Sequence, residues 1–294
     1  MKFLKNLLIN TLIFLLVFAG GVLVAWHFIQ GDIIPYFTHV PIDVEAFEEN
    51  YQASIEDAIF DPETVSMAEA FEWLEHINIL DDLNPIGELI LPSINITLPI
   101  FLGVGEPNIS VGAGTVVPDI VMGEGNYVLA SHWSPTPGML FRELDQIQVG
   151  DILILRNADY VFIYETIIGD NYIIEPYRWD ITEYVEGKTY LTLFTCTPDG
   201  TQRVKVRGEL VEKVSVEEIA AMLASGEDNL TSNSAMNTLV DNFDLDEIVE
   251  AFEVLNADAP NFPIVGFVVL FGAPALLAIA VVWISSNGFK KKGK

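Results

Sequence analysis

Thr189-Tyr190-Leu191-Thr192-Leu193-Phe194-Thr195-Cys196 is a run of β-branched, aromatic and aliphatic residues that stops at the turn Thr197-Pro198-Asp199-Gly200. Arg203-Val204-Lys205-Val206 then resumes a strand-like texture. Side chains of this kind suit a pleated, buried surface, whereas Pro, Asp and Gly punctuate it. Cys196 therefore ends one strand and Arg203 opens the next. The same texture extends on the N-terminal side, at Glu88–Leu91, Ile94–Leu102, Tyr127–Ala130, Asp151–Arg156, Tyr160–Ile168 and Tyr172–Ile174. Many short strands separated by turn residues predict a mainly β domain, a closed barrel or a sandwich. One short helix is expected at Leu140–Leu144.

The flanks differ. Leu7 to Ile29 is apolar apart from Asn10, Thr11 and His27, and Pro263 to Ile284 is a second apolar run without a charge. Each exceeds the roughly 18 apolar residues that mark a membrane-crossing helix. The first run could instead be a cleaved signal peptide, but it is long for one and no small-x-small site follows it, so an uncleaved anchor is favoured. Lys2 and Lys5 precede the first run, and Lys290, Lys291, Lys292 and Lys294 follow the second. By the positive-inside rule both termini are expected in the cytoplasm and the stretch between the spans outside the cell. The expected division is a cytoplasmic tip and span (1–30), an acidic helical segment (31–86), a β domain (87–213), an acidic helical spacer (214–261), a second span (262–285) and a basic tail (286–294).

Charge fits that division. The chain of 294 residues carries 42 acidic and 14 basic residues, a net charge of -28, yet its mean hydropathy is positive. The apolar residues collect in the two runs, and every acidic residue lies between them. Such an acidic domain repels nucleic acid. Helix-like patterns at Val44–Ile59 and Ser66–Leu80 precede the β domain, split by Asp61-Pro62, and Val216–Leu223 and Leu245–Val254 follow it.

The single cysteine, Cys196, is either an inert buried side chain or a reactive thiol. A thiol with an ordinary pKa of roughly 8.5 is mostly protonated at neutral pH. Nucleophilic use needs a base or cation beside it. Of the four histidines, His27 lies in the first apolar run, His39 beside it and His76 in a helix-like stretch. His132 instead ends the strand Asn126-Tyr127-Val128-Leu129-Ala130-Ser131 where a Pro-rich loop begins, a place where barrels present working side chains. Arg203 supplies a planar fork able to hold a carbonyl or an oxyanion. One cysteine and four scattered histidines give no metal-ligand spacing, and there is no phosphate-binding glycine loop.

With these residues in place, the stretch from Gly87 to Lys213 resembles the sortases, specifically the class A enzymes of Gram-positive bacteria. Thr192-Leu193-Phe194-Thr195-Cys196 is similar to the family's Thr-Leu-x-Thr-Cys signature, and Asn126 to His132 to the segment ending in its histidine. Ile90-Leu91-Pro92-Ser93-Ile94, Leu98-Pro99-Ile100-Phe101, Gly112-Ala113-Gly114-Thr115 and Met122-Gly123-Glu124-Gly125-Asn126-Tyr127 match further. The resemblance implies an eight-stranded β-barrel that cuts a Leu-Pro-x-Thr-Gly sorting signal between Thr and Gly. Cys196 would form the thioester, His132 would move protons and Arg203 would hold the substrate or oxyanion, with Ser131, Phe194, Thr195 and Lys205 contacting substrate. The implied partners are surface proteins bearing a C-terminal sorting signal, an amine of a peptidoglycan precursor, and the membrane. No cofactor or metal is expected.

Two features depart from class A. Two spans are usual for the class C pilin polymerases, which use a pilin lysine as acceptor and carry a lid with Asp-Pro-aromatic ahead of the barrel. Here Asp61-Pro62 is followed by Glu63, which argues against a lid. Lys205 stands where the family usually has an apolar residue. Because Arg203, Lys205 and Arg207 alternate along one strand, they are expected to form a cationic stripe on one face. An inactive, sortase-like membrane scaffold and an ordinary cysteine protease are the remaining alternatives.

Overall fold

A computed structural model describes residues 2–38, 40–61, 65–66, 76, 78–169, 172–176, 182–218, 272 and 274–280 of the chain. It divides into two compact units, Met1–Phe37 with Pro260–Lys294, and Thr38–Ala259. In the first unit, α1 (Lys2–Thr38) contains one stretch long and apolar enough to cross a membrane, Leu8–Trp26. Of the second apolar run, residues 274–280 are helical and nearly all the rest lies outside the described residues. Most of the expected helices at Ser66–Leu80 and Val216–Leu223, and all of Leu245–Val254, lie outside them too.

The second unit is a barrel. Its strands are β1 (Gly87–Leu91), β2 (Ile96–Phe101), β3 (Ala113–Thr115), β4 (Asn126–Ala130), β5 (Ile152–Arg156), β6 (Tyr160–Ile168), β7 (Ile173–Ile174), β8 (Tyr190–Cys196) and β9 (Arg203–Ser215). They form one sheet in the order β6-β5-β1-β2-β3-β4-β8-β9, and pairing of β9 back onto β6 closes eight strands into a ring. Strand β7 is a ninth, attached to β9. The pairs β2–β3 and β4–β8 are parallel and the others antiparallel. Leu89, Leu91, Ile100, Leu129, Leu153, Leu155, Leu191 and Leu193 are completely buried in it. Full burial of such a side chain is worth about 1.5–3 kcal/mol, so these positions fix the register in which the sheet closes.

Three local expectations need correction. Strand β9 runs 13 residues, well beyond Arg203–Val206, because it pairs with β8 through Arg203–Glu209 and with β6 through Arg207–Ser215. Charged Glu209, Glu212 and Lys213 concealed that continuation. Strand β3 was missed because Ala113-Gly114-Thr115 has little intrinsic strand preference. Its glycines answer to close approach instead: a Cβ on Gly112 would lie 2.5 Å from the Pro99 carbonyl oxygen, and one on Gly114 2.3 Å from that of Gly103. In place of a helix at Leu140–Leu144, Leu140 adopts φ 52° and bridges to Trp133, and a 3-10 turn follows at Leu144–Gln146. Ahead of the barrel, helix α2 (Phe47–Ser54) occupies the centre of the expected Val44–Ile59 segment.

Candidate active site

Strand pairing assembles the site. Cys196 and Arg203 are direct register partners across β8 and β9. Parallel β4 and β8 keep Asn126 beside Tyr190 and Ala130 beside Phe194, and continuing that register sets His132 level with Cys196. The Thr195 hydroxyl, donating to the Ser131 carbonyl at 2.8 Å, carries the two strands to that point. His132 thus joins Cys196 and Arg203, which one turn separates, in a row across the ends of three strands.

By alternation, Thr192, Phe194 and Cys196 share one face of β8, and Arg203, Lys205 and Arg207 share the facing side of β9. This face is not open. Val65, completely buried, packs with Val104, Ile109, Val116, Val128, Ala130 and Phe194. Its carbonyl oxygen accepts from the Cys196 thiol at 3.4 Å and from Arg203 Nη2 at 3.1 Å. The neighbouring Ser66 carbonyl lies 2.7 Å from His132 Nδ1. Chain ahead of the barrel therefore covers the site, contrary to the expectation drawn from Glu63. The signal was misread because it lies in backbone carbonyls and one valine, not in an aromatic side chain.

Cys196 and His132 are each 1% exposed. Burial pushes the Cys196 thiol above its ordinary range, and the Arg203 guanidinium pulls it part of the way back. The other ring nitrogen of His132, Nε2, bonds to the Glu106 carboxylate. The second carboxylate oxygen of Glu106 lies 3.8 Å from His76 Nε2. Burial alone would raise the Glu106 carboxyl, but His132, Ser110 and His76 together outweigh it and hold it below the usual range. Glu106 escaped the sequence reading because, in the turn Gly103-Val104-Gly105-Glu106-Pro107, nothing separates it from the other acidic residues.

Comparison with known proteins settles the family. The sortase-domain profile matches residues 89–211. A Bacillus subtilis protein named as a sortase, YwpE, is 35% identical over 95 residues, spanning 32% of this chain and 86% of that protein. The chain belongs to the sortase family. Sortase A of Bacillus anthracis is 34% identical over 134 residues, but those cover 45% of this chain and 62% of that enzyme. Among solved structures, Listeria monocytogenes sortase A aligns with TM-score 0.43 at 28% identity, over 45% of this chain and 90% of that one.

Within this sortase, the residues expected to touch substrate divide. Phe194 is buried in the apolar cluster that Val65 completes. Ser131 and Thr195 do not fit that role: both are completely buried, and their hydroxyls are committed to the backbone, Ser131 to Gly112 at 2.7 Å and Thr195 to Ser131. They hold β4, β8 and the segment Asn108–Val111 together. Lys205 lies on the same face of β9 as Arg203 and pairs with Phe194, but it is 8% exposed, its ammonium 5.9 Å from the centre of the Tyr172 ring, so its head is not in water as a surface lysine's would be. Arg207 is held by the Thr192 hydroxyl at 2.8 Å, and that hydroxyl donates to Asn126 at 2.7 Å.

Proposed function

We propose that this protein is a cysteine transpeptidase that cleaves a Leu-Pro-x-Thr-Gly-type sorting signal between Thr and Gly and joins the acyl group to a cell-wall amine. The observation that carries this reading is the shared carbonyl. A peptide oxygen held where that of Val65 sits meets a thiol and a guanidinium at once, as the scissile carbonyl of an acyl-transfer substrate must. Once the Cys196 thiol has lost its proton to solvent, the thiolate attacks the Thr carbonyl carbon, and the charge gathering on its oxygen is stabilised by Arg203. The carbon–nitrogen bond then breaks, His132 hands its proton to the departing glycine amine, and a thioester remains on Cys196. An incoming amine attacks the thioester, gives a proton to His132 and releases the thiolate. The apolar groove of Val104, Ile109, Val116, Val128, Ala130 and Phe194 suits the Leu-Pro portion. In this reading α1 anchors the enzyme in the membrane, and its partners are surface proteins carrying the signal and a peptidoglycan-precursor amine.

The covering of the site by Val65 and Ser66 favours a second reading, a class C-type pilin polymerase whose acceptor is a pilin lysine. The two differ in the acceptor alone. Incubating the full-length chain in detergent with a Leu-Pro-Glu-Thr-Gly peptide, triglycine and a lysine-bearing pilin peptide tests both by mass spectrometry. Ligation to triglycine supports wall anchoring, and ligation to the lysine side chain supports polymerisation. Cleavage to the free acid without ligation leaves a protease, and an intact peptide rejects the reading.

A further inference from the structure

His132 is held from both sides by acceptors. Its Nδ1 faces the Ser66 carbonyl at 2.7 Å, and a carbonyl oxygen can only accept, so Nδ1 carries a hydrogen. Its Nε2 bonds to the Glu106 carboxylate, and a carboxylate oxygen that accepts there puts a hydrogen on Nε2 as well. Both nitrogens protonated make an imidazolium, almost wholly removed from water. A buried cation needs a counter-charge at contact distance, and Glu106 supplies it. The two nitrogens are also inequivalent. Nδ1 points at the covering peptide whose neighbouring carbonyl engages Cys196 and Arg203, the place the substrate backbone takes. Nε2 points away, toward the loop between β2 and β3.

We infer that Glu106 is a positioning residue for His132: by binding Nε2–H it fixes the ring as an imidazolium and presents Nδ1–H to the leaving amine of the substrate. This deepens the transpeptidase reading and rests on it for the identity of the substrate. The logic is that of a carboxylate orienting a catalytic histidine, with the two ring nitrogens exchanged relative to the serine-protease arrangement. Glu106 touches neither substrate nor thiol; it acts through the ring. In the reaction the Nδ1 proton passes to the glycine nitrogen as the carbon–nitrogen bond breaks. The ring is then neutral with Nε2–H still bound to Glu106, and the acceptor amine returns a proton to Nδ1. The groups around the ring are Glu106 on the β2–β3 loop, His76 beyond it, Cys196 at the end of β8 and Arg203 at the start of β9.

The test compares full-length wild type with Glu106→Gln in detergent, reading three quantities. The first is kcat and KM for Leu-Pro-Glu-Thr-Gly peptide against pH. The second is the ¹⁵N shifts of the His132 ring in histidine-labelled protein, assigned with His132→Gln. The third is the melting temperature, as a control for folding. Glu106→Gln is expected to lower kcat roughly 10- to 100-fold with KM little changed, since a proton-transfer group is impaired, not a binding contact. The alkaline fall of activity should move to lower pH, and the ring should become neutral at a pH where the wild-type ring is still doubly protonated. Unchanged ring shifts and an unchanged alkaline limb in a folded variant would overturn the inference. If wild type fails to turn over the peptide, the transpeptidase reading fails; the ring titration still decides the pairing, and an identical titration in both proteins rejects it.

Discussion

The Cys196 thiol and the Arg203 guanidinium, register partners across β8 and β9, converge on a single oxygen, the Val65 carbonyl, at 3.4 and 3.1 Å. The proposed nucleophile and the proposed oxyanion stabiliser are thus placed side by side by sheet register. Replacing Cys196 by Ala removes one sulfur atom and its hydrogen bond to the Val65 carbonyl. The expected outcome is complete loss of thioester and ligated product by mass spectrometry, with a melting temperature within a few degrees of wild type. Residual ligation in Cys196→Ala would place the nucleophile elsewhere.

In the proposed mechanism Arg203 acts through geometry as well as charge. One of its terminal nitrogens reaches Val65 and the other the Gln202 carbonyl at 3.2 Å, so the planar fork is oriented before any substrate arrives. Arg203→Lys keeps a positive charge but loses the fork. It should lose about 10²–10³-fold in kcat, the usual effect of removing an oxyanion donor. Because Arg203 also lowers the Cys196 thiol against its burial, Arg203→Ala should shift iodoacetamide alkylation of Cys196 to higher pH. Alkylation profiles that coincide in wild type and Arg203→Ala would show that the guanidinium does not act on the thiolate.

Val65 fills the groove that the proposal assigns to substrate. Shrinking it to Gly removes the apolar anchor of the covering segment while leaving the barrel interior intact. Val65→Gly should raise the alkylation rate of Cys196 and lower KM for the sorting peptide, each by several-fold. Equal alkylation rates would mean that the segment does not restrict access to Cys196.

Much of this was legible beforehand because it depends on local pattern. The β8 texture ending at Cys196, the turn, and the alternation of Arg203, Lys205 and Arg207 follow from period-two chemistry. What was not legible depends on contacts distant in sequence. Strand β3 exists because glycines allow it close to β2, the length of β9 because it has two partners, and the role of Glu106 because a loop brings it to His132. The covering peptide was invisible for a similar reason, since backbone carbonyls make its polar contacts with the site.

Lys205 carries a specificity prediction. It is the register partner of Phe194 on the groove face, flanked by Arg203 and Arg207, so three cations line one side of the proposed substrate path. An acidic residue at the variable position of the sorting signal should therefore be preferred over Ala, and Lys disfavoured. With the ammonium partly engaged by Tyr172, the effect should be about 1 kcal/mol or less, at most about fivefold in kcat/KM. Lys205→Ile should remove the preference. A Glu preference that persists unchanged in Lys205→Ile would assign it to another residue.

The barrel wall contains a group whose titration should be readable as stability. Glu88 on β1 and Arg156 on β5 are register partners, 6% and 9% exposed, with a closest ion-pair distance of 3.7 Å. Burial pushes the Glu88 carboxyl up to about 7 from an ordinary 4.5, and Arg156 offsets only part of that. Below the unfolded value the carboxyl is protonated in both states. Between that value and about 7 the folded chain retains a proton that the unfolded chain has released, so stability falls as pH rises through this window. The shift corresponds to about 3 kcal/mol lost between low pH and the plateau above neutrality. Glu88→Gln cannot titrate, so subtracting its urea-unfolding free energy from that of wild type at each pH isolates this one group. The wild-type-minus-variant difference should decline from pH 4.5 to 7.5 and then level off. A difference that stays flat, or that rises with pH as for a well-paired carboxylate, would mean that Arg156 compensates the burial of Glu88 in full.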